Sequence, residues 1–270
     1  MWMFLCILAA LPVLAVLAMD GRRHHPGLGE LGKWSYAHRG LYDDEKPENS
    51  LPAFQAAVDR GYGAELDVHL LKDGNLAVLH DSDLLRMTGK VGKLEDLTTA
   101  DLKDCHLKGT AETIPEFSQV LEVFSGKAPL IIELKPTWDN VSALCEAACA
   151  AMEGYPGFWC MESFHPGVVL WLRHHRPDIL RGQLTEDYFR SDTGLPVPAI
   201  CKWWMKHQLL NFLTRPDFVA YRFSDRKTLS NTIVRKLWHI QGVTWTVQTV
   251  EDFQTAKNEN WVPIFEHFRP

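Results

Sequence analysis

The chain has 270 residues, 46% of them hydrophobic, which is enough to build one large single-core domain. Its formal net charge is −6 and its isoelectric point is about 6.0, which argues against nucleic acid as a partner. The six cysteines lack the spacing of a zinc site. We expect reduced thiols, which favour a cytosolic catalytic domain.

The first element is an apolar stretch from Met1 to Met19 without a charged side chain. It is long enough to predict a transmembrane helix, and it lacks the basic segment that begins a secretory signal peptide. Arg22 and Arg23 follow it, and the positive-inside rule then places the rest of the chain in the cytoplasm. We expect a single-pass cell-membrane protein anchored through residues 1–19, with a linker over residues 20–33.

From residue 34 to residue 270, short apolar strands alternate with helical patterns, which predicts one (β/α)8 TIM-barrel domain. The expected parallel strands are Trp34–His38, Ala64–Val68, Leu130–Leu134, Phe158–Ser163, Ile179–Leu184, Phe218–Phe223, Val243–Val247 and Val262–Glu266. The expected helices are Leu51–Arg60, Glu116–Phe124, Asn140–Met152, Pro166–His175, Lys202–Leu213, Lys227–His239 and Glu251–Asn258. No helix follows the last strand, so we expect the linker or the anchor to cover that face.

A hairpin after the second strand brings acidic and basic groups together. Glu65 and Asp67 are two residues apart in a strand, so both carboxylates point to one face. The chain then reverses at Asp73-Gly74, a strong hairpin signal, and returns to His80. This one hairpin predicts a hard-cation site beside an imidazole. A short polar insertion over residues 82–112 follows it and predicts an open site.

In a (β/α)8 barrel, the chemistry lies at the carboxyl ends of the strands. His38 and Arg39 end the first expected strand, Glu133 and Lys135 end the third, and Glu162 ends the fourth. Acids, imidazoles and cations therefore accumulate on one rim, and the first three strands are the richest.

The reactive residues fall in motifs whose order and spacing closely resemble those of glycerophosphodiester phosphodiesterases. These motifs are Ala37-His38-Arg39-Gly40, Pro47-Glu48-Asn49-Ser50, Glu65-Leu66-Asp67-Val68, Lys72-Asp73-Gly74, His80-Asp81, Ile132-Glu133-Leu134-Lys135 and Trp245-Thr246-Val247-Gln248. The last has Gln where the family pattern has Asn. The resemblance extends from residue 34 to the C-terminus.

The resemblance implies a metal site at Glu65, Asp67 and Glu133. Three carboxylates without a soft ligand suit one divalent cation, Ca²⁺ or Mg²⁺, because both prefer oxygen ligands. Such a cation would neutralise phosphate charge and polarise the P–O bond.

The resemblance also implies the other site residues. His38 and His80 match the acid/base pair, in which one imidazole takes a proton from the attacking oxygen and the other protonates the leaving alkoxide. Arg39, Lys135 and Trp245 match positions that bind the substrate or its phosphate.

Three further residues have open roles. His69 shares a face with Glu65 and Asp67, although the family resemblance does not require it. Glu48 is either a hydrogen-bonding partner to the site or an ordinary surface acid. Glu162 either contacts the metal or substrate, or forms a rim salt bridge.

The implied reaction is metal-dependent hydrolysis of a glycerophosphodiester to sn-glycerol 3-phosphate and an alcohol. Water or the glycerol 2-hydroxyl is the attacking group. One alternative is a lysophospholipase D acting on lysophospholipids, which the anchor and the Trp-rich segment 203–213 favour. The other is a non-catalytic barrel that binds phospholipid headgroups, which the retained histidines and carboxylates disfavour. The sequence does not specify the leaving alcohol or the oligomeric state.

Overall fold

A computed structural model describes residues 2–191 and 197–270, with side chains described from residue 10 onwards. Eight parallel strands form a barrel that closes because its first strand pairs with both the second and the last. The barrel strands are β1 Tyr36–His38, β2 Gly63–Leu70, β4 Leu130–Leu134, β5 Trp159–Ser163, β6 Arg181–Thr185, β7 Phe218–Arg222, β8 Gln241–Val247 and β9 Trp261–Phe265. The expected (β/α)8 barrel is confirmed.

The remaining strand, β3 Leu76–Val78, pairs antiparallel with the end of β2 outside the barrel. This pair is the expected hairpin. The insertion that follows it packs on a small core of its own around Leu84, Met87 and Leu94, all buried. This core ties the insertion to the hairpin that carries His80.

Helices surround the barrel. They are α1 Trp2–Ala18, α2 Leu28–Leu31, α3 Leu51–Asp59, α4 Leu85–Thr88, α5 Thr99–Leu102, α6 Phe117–Phe124, α7 Val141–Ala151, α8 Pro166–His175, α9 Ala199–Lys206, α10 Asn211–Thr214, α11 Leu229–Thr232 and α12 Val250–Asn258, with 3₁₀ turns at Leu94–Asp96 and Phe223–Asp225 and a π-helical turn at Ile233–Leu237. The single helix expected over residues 202–213 is two helices, because Gln208 has a φ of 59°, which a right-handed helix excludes.

The inward faces of the strands change from apolar to charged along the chain direction. On β4, Ile131 lies in the apolar barrel core and Glu133 lies two residues further on. Cys160 and Glu162 repeat this step on β5, because their register pairs them with the two β4 residues. Apolar side chains therefore fill the amino-terminal half of the barrel, and charged ones gather at its carboxyl-terminal mouth.

The expected transmembrane helix over residues 1–19 is not supported. Within residues 2–191 and 197–270, no helix is long and apolar enough to cross a membrane. Among the described residues, helix α1 extends from Trp2 to Ala18. Its last turn is bonded to the barrel, since the Trp238 indole donates to the Val16 carbonyl at 2.8 Å.

The segment expected to be a linker contributes to the barrel. Leu31, in α2, is fully buried in the apolar cluster that fills the amino-terminal end of the barrel. The face without a closing helix is covered differently from the expectation. Phe268 packs against Phe265, and the Tyr62 hydroxyl donates to the Pro270 carbonyl at 2.8 Å. Residues at the C-terminus therefore cover the surface that was expected to need the linker or anchor.

Candidate active site

Three carboxylates converge at the mouth of the barrel. Glu65 and Asp67 come from β2 and Glu133 from the neighbouring β4, where Asp67 and Glu133 are register partners. One oxygen of each lies within 4.8 Å of the others, and all three side chains are buried. Burial and the mutual repulsion of these acids raise the pKa of Glu65 well above its ordinary value and that of Glu133 to about 7.

Two cations lie against these carboxylates. The Lys135 ammonium is 2.7 Å from a Glu133 oxygen and 3.0 Å from an Asp67 oxygen. Arg39 lies 3.5 Å from Asp67 through Nε and donates its main-chain N–H to Glu65 at 3.2 Å. Burial alone would raise the pKa of Asp67, but these cations hold it well below the ordinary range.

His38 lies between two acids. Its Nδ1 is 2.6 Å from Glu266, just after β9, and its Nε2 is 3.8 Å from Glu65. Burial and the charge of Arg39 lower the pKa of His38, although Glu266 opposes this shift. With Nδ1 bonded to Glu266, Nε2 is the ring nitrogen that faces the carboxylates.

His80 is held in the same way from the other side of the mouth. Its Nδ1 is 2.6 Å from Asp81, and Asp81 in turn pairs with Arg86 of the insertion. Burial, followed by the charge of Lys135, lowers the pKa of His80 to about 4, while Asp67 acts in the opposite direction. With Nδ1 bonded to Asp81, Nε2 is the ring nitrogen that this contact leaves available.

Glu48 joins the insertion to the catalytic rim. It accepts hydrogen bonds from Arg39 Nη1 at 2.7 Å and from Arg86 Nη1 and Nη2 at 3.0 and 2.7 Å. Burial alone would raise its pKa, but the two arginines lower it to about 2. Beside it, the Asn49 amide donates to Asp67 at 2.9 Å. Of the two interpretations left open, the hydrogen-bonding partner is therefore the one that the structure shows.

The aromatic side of the mouth is built by Phe164 and Trp245. Their rings meet edge to face at a centroid distance of 5.5 Å, and the Lys135 ammonium lies 5.9 Å above the Phe164 ring. Trp245 thus reaches the site through Phe164. Glu162 is buried nearby with one oxygen lacking a hydrogen-bond partner within the described chain. Burial and the charge of Glu133 raise its pKa well above its ordinary value.

The structure brings the expected residues to one rim, with Trp245 touching it indirectly. His69 instead turns to the insertion, where its Nδ1 is 2.8 Å from Glu95. Sequence reasoning gave no role to Glu266 or Arg86. Glu266 carried a usable signal, since it ends the last expected strand. Arg86 carried none, because its contacts depend on how the insertion folds.

The profile of the glycerophosphoryl diester phosphodiesterase family matches residues 38–265. The chain belongs to this family.

The chain is similar to several curated proteins. One is a glycerophosphodiester phosphodiesterase of Bacillus altitudinis, which is 34% identical over 163 residues. These residues are 56% of this chain and 66% of that protein. Another, from Caldanaerobacter subterraneus subsp. tengcongensis, is 39% identical over 109 residues, 37% of this chain and 44% of that protein. A rat protein named lysophospholipase D GDPD1 is 35% identical over 112 residues, 37% of this chain and 35% of that protein. The chain thus spans just under two thirds of the first relative and less than half of the other two.

Solved structures share the fold. An Oleispira antarctica phosphodiesterase in complex with the product sn-glycerol-3-phosphate has a TM-score of 0.69 at 20% identity, covering 86% of this chain and 92% of that one. A glycerophosphodiester phosphodiesterase from Thermotoga maritima has a TM-score of 0.63 at 24% identity, covering 86% and 93%.

The donor set of this glycerophosphoryl diester phosphodiesterase family member fits a hard divalent cation. Four buried acids, Glu65, Asp67, Glu133 and Glu162, face two partly exposed cations, Arg39 and Lys135. Without bound protons this set carries two uncompensated negative charges, and this excess acts together with burial, the larger cause, to raise the pKa values of Glu65, Glu133 and Glu162. A doubly charged cation with oxygen ligands would balance it.

Proposed function

We propose that the protein is a glycerophosphodiester phosphodiesterase that cleaves its substrate to sn-glycerol 3-phosphate and an alcohol. The observation that carries this proposal is the convergence of three carboxylates within 4.8 Å, with His38 3.8 Å from Glu65, at the barrel mouth of a family member.

Glu65, Asp67 and Glu133 would hold one Ca²⁺ or Mg²⁺, which supplies neutralisation of phosphate charge and polarisation of the scissile P–O bond. Arg39 and Lys135 would bind the phosphate. Arg39 is already anchored by Glu48, so its fork is oriented before substrate arrives. Trp245, together with Phe164, would form the apolar wall against the organic part of the substrate.

The two imidazoles would divide the proton transfers. At one, Nε2 accepts the proton of the attacking hydroxyl as its oxygen bonds to phosphorus. The other ring must first be an imidazolium, since its Nδ1–H is bonded to a carboxylate; its Nε2–H then gives a proton to the alkoxide that leaves as the P–O bond breaks, and the ring becomes neutral. Glu266 and Asp81 would fix the ring orientation, since each occupies an Nδ1. Attack by water gives the products directly, and attack by the glycerol 2-hydroxyl gives a cyclic phosphate that water then opens.

The test is a turnover assay on soluble glycerophosphocholine with and without metal. We expect a chelator to abolish activity, and Ca²⁺ or Mg²⁺ to restore it. We also expect loss of turnover in His38→Ala and His80→Ala, whereas His174→Ala, at an exposed position on α8, keeps wild-type activity. A folded His38→Ala protein with full activity, or full activity in excess chelator, would refute the proposal.

A second candidate is lysophospholipase D activity. The aromatic mouth and the exposed Trp203 and Trp204 of α9 favour it, as does the likeness to a rat protein of that name. Comparing turnover of lysophosphatidylcholine with that of glycerophosphocholine separates the two activities. Phosphorus NMR of the reaction mixture detects a cyclic phosphate and so distinguishes the two attacking groups.

A further inference from the structure

A second polar pocket lies at the opposite end of the barrel from the carboxylates. It is a wide, open pocket of about 430 Å³, and five of the residues that line it are arginines: Arg22, Arg23, Arg173, Arg181 and Arg215. Arg181 begins β6 and Arg215 precedes β7, so the pocket opens at the amino-terminal ends of the strands. No step of the proposed reaction uses it.

Two carboxylates compensate part of this charge. Arg22 pairs with the fully buried Asp217, with Nη2 2.6 Å from Oδ2. Asp20 is shared, since Arg215 Nη1 lies 2.9 Å and Arg23 Nη2 2.8 Å from its oxygens. Against five arginines, these two acids leave three positive charges in the wall.

Arg181 is the deepest of the five. It is 2% exposed, and its Nη2 donates to the Arg215 carbonyl at 2.8 Å. Its Nη1 has no hydrogen-bond partner within the part of the chain that the structure describes. Burial and the charges of Arg22, Arg173 and Arg215 lower its pKa to about 10, although Asp217 opposes this. A buried guanidinium donor without an acceptor is costly.

The backbone that presents Arg22 and Arg23 is tightly seated. The Arg22 N–H donates to the Pro216 carbonyl at 2.8 Å, and a Cβ on Gly21 would lie 2.4 Å from that same oxygen. Only glycine allows this close approach. The arginines are therefore held at the pocket by the fold itself.

We propose that this pocket binds a phosphate-bearing anion, independently of the carboxylate site. Guanidinium groups bind phosphate oxygens through paired N–H donors, and five of the residues that line this pocket are arginines. An anion with two negative charges would balance most of the excess. The phosphate is either free in solution or carried by a lipid headgroup.

The first experiment is calorimetric titration of the full-length protein with inorganic phosphate in the presence of a chelator. We expect Arg181→Gln and Arg215→Gln to weaken one class of phosphate binding by about tenfold or more, the scale of a lost charge-assisted contact. Arg176→Gln is the matched control, since Arg176 is as exposed as Arg215 (37% and 38%) and also pairs with one aspartate. If Arg181→Gln fails to fold, Arg215→Gln decides the result.

The second experiment identifies the source of the phosphate. The same proteins are sedimented with phosphatidylcholine vesicles with and without phosphatidic acid. Binding that depends on Arg215 in either experiment supports the pocket, and the experiment in which it occurs names the source. Equal binding by Arg215→Gln and Arg176→Gln in both experiments would overturn the proposal. Hydrolysis of glycerophosphocholine by Arg215→Gln should match wild type, which separates this proposal from the catalytic one.

Discussion

The ion pair between Arg86 and Glu48 allows a quantitative test of how the insertion supports the site. The pKa of Glu48 is lowered from 4.5 to about 2 by Arg86 and Arg39 together. At 1.36 kcal/mol for each pKa unit, this net shift corresponds to about 3 kcal/mol of stability at neutral pH. Arg86 supplies two of the three hydrogen bonds, but its side chain is 45% exposed, so we assign it about 1–2 kcal/mol.

The measurement is a double-mutant cycle of Arg86→Met and Glu48→Gln by urea unfolding at pH 7. The expected coupling is about 1–2 kcal/mol. A parallel cycle on the exposed pair Arg176 and Asp178 is expected to give under about 0.5 kcal/mol. Arg86→Met should also lower kcat, because Asp81, the partner of the His80 imidazole, loses its cation. A coupling as small as that of the exposed pair would refute the reasoning.

Three further outcomes are expected. Glu266→Gln should lower kcat by about tenfold or more, because His38 loses the charge that supports its imidazolium. Unchanged kcat would remove Glu266 from the mechanism. Because the pKa of Glu48 is lower in the folded than in the unfolded protein, the ionised side chain stabilises the fold above about pH 4.5, and this stabilisation is lost as the pH falls towards 2. The free energy of unfolding should therefore fall less steeply with acid in Glu48→Gln than in wild type. Identical profiles for the two proteins would contradict this. Gly182→Ala should lower the free energy of unfolding by about 1–3 kcal/mol, because the new Cβ would lie 2.1 Å from a buried phenylalanine ring of β7. Gly29→Ala is the control: its Cβ would meet open space, so thermal unfolding should be nearly unchanged.

The barrel was predictable because the alternation of side chains along each strand indicates which residues face the barrel interior. Ile131 and Glu133 show this, since the same face of β4 is apolar at the core and acidic at the mouth. Two of the three metal-site residues, Glu65 and Asp67, followed from the β2 hairpin, where they are only two residues apart, whereas Glu133 followed from the family resemblance. Periodicity did not reveal the break at Gln208, because a left-handed residue leaves the hydrophobic pattern intact.

Long-range partners were the part that sequence could not supply. The Glu266 contact with His38 joins residues 228 apart in the chain and exists only because the barrel closes between β1 and β9. The Arg86 contacts depend on the tertiary packing of a short insertion that has little regular structure.

The buried position of Leu31 has a practical consequence for anyone who shortens this protein. A version beginning at residue 34 would lose Leu31, which fills the amino-terminal end of the barrel, and would leave Asp217 without Arg22, its ion-pair partner. A version beginning near Met19 keeps both. A truncation should therefore keep residues 20–33, although the sequence suggests a linker there. A protein truncated to the first strand should have an open, aggregation-prone barrel.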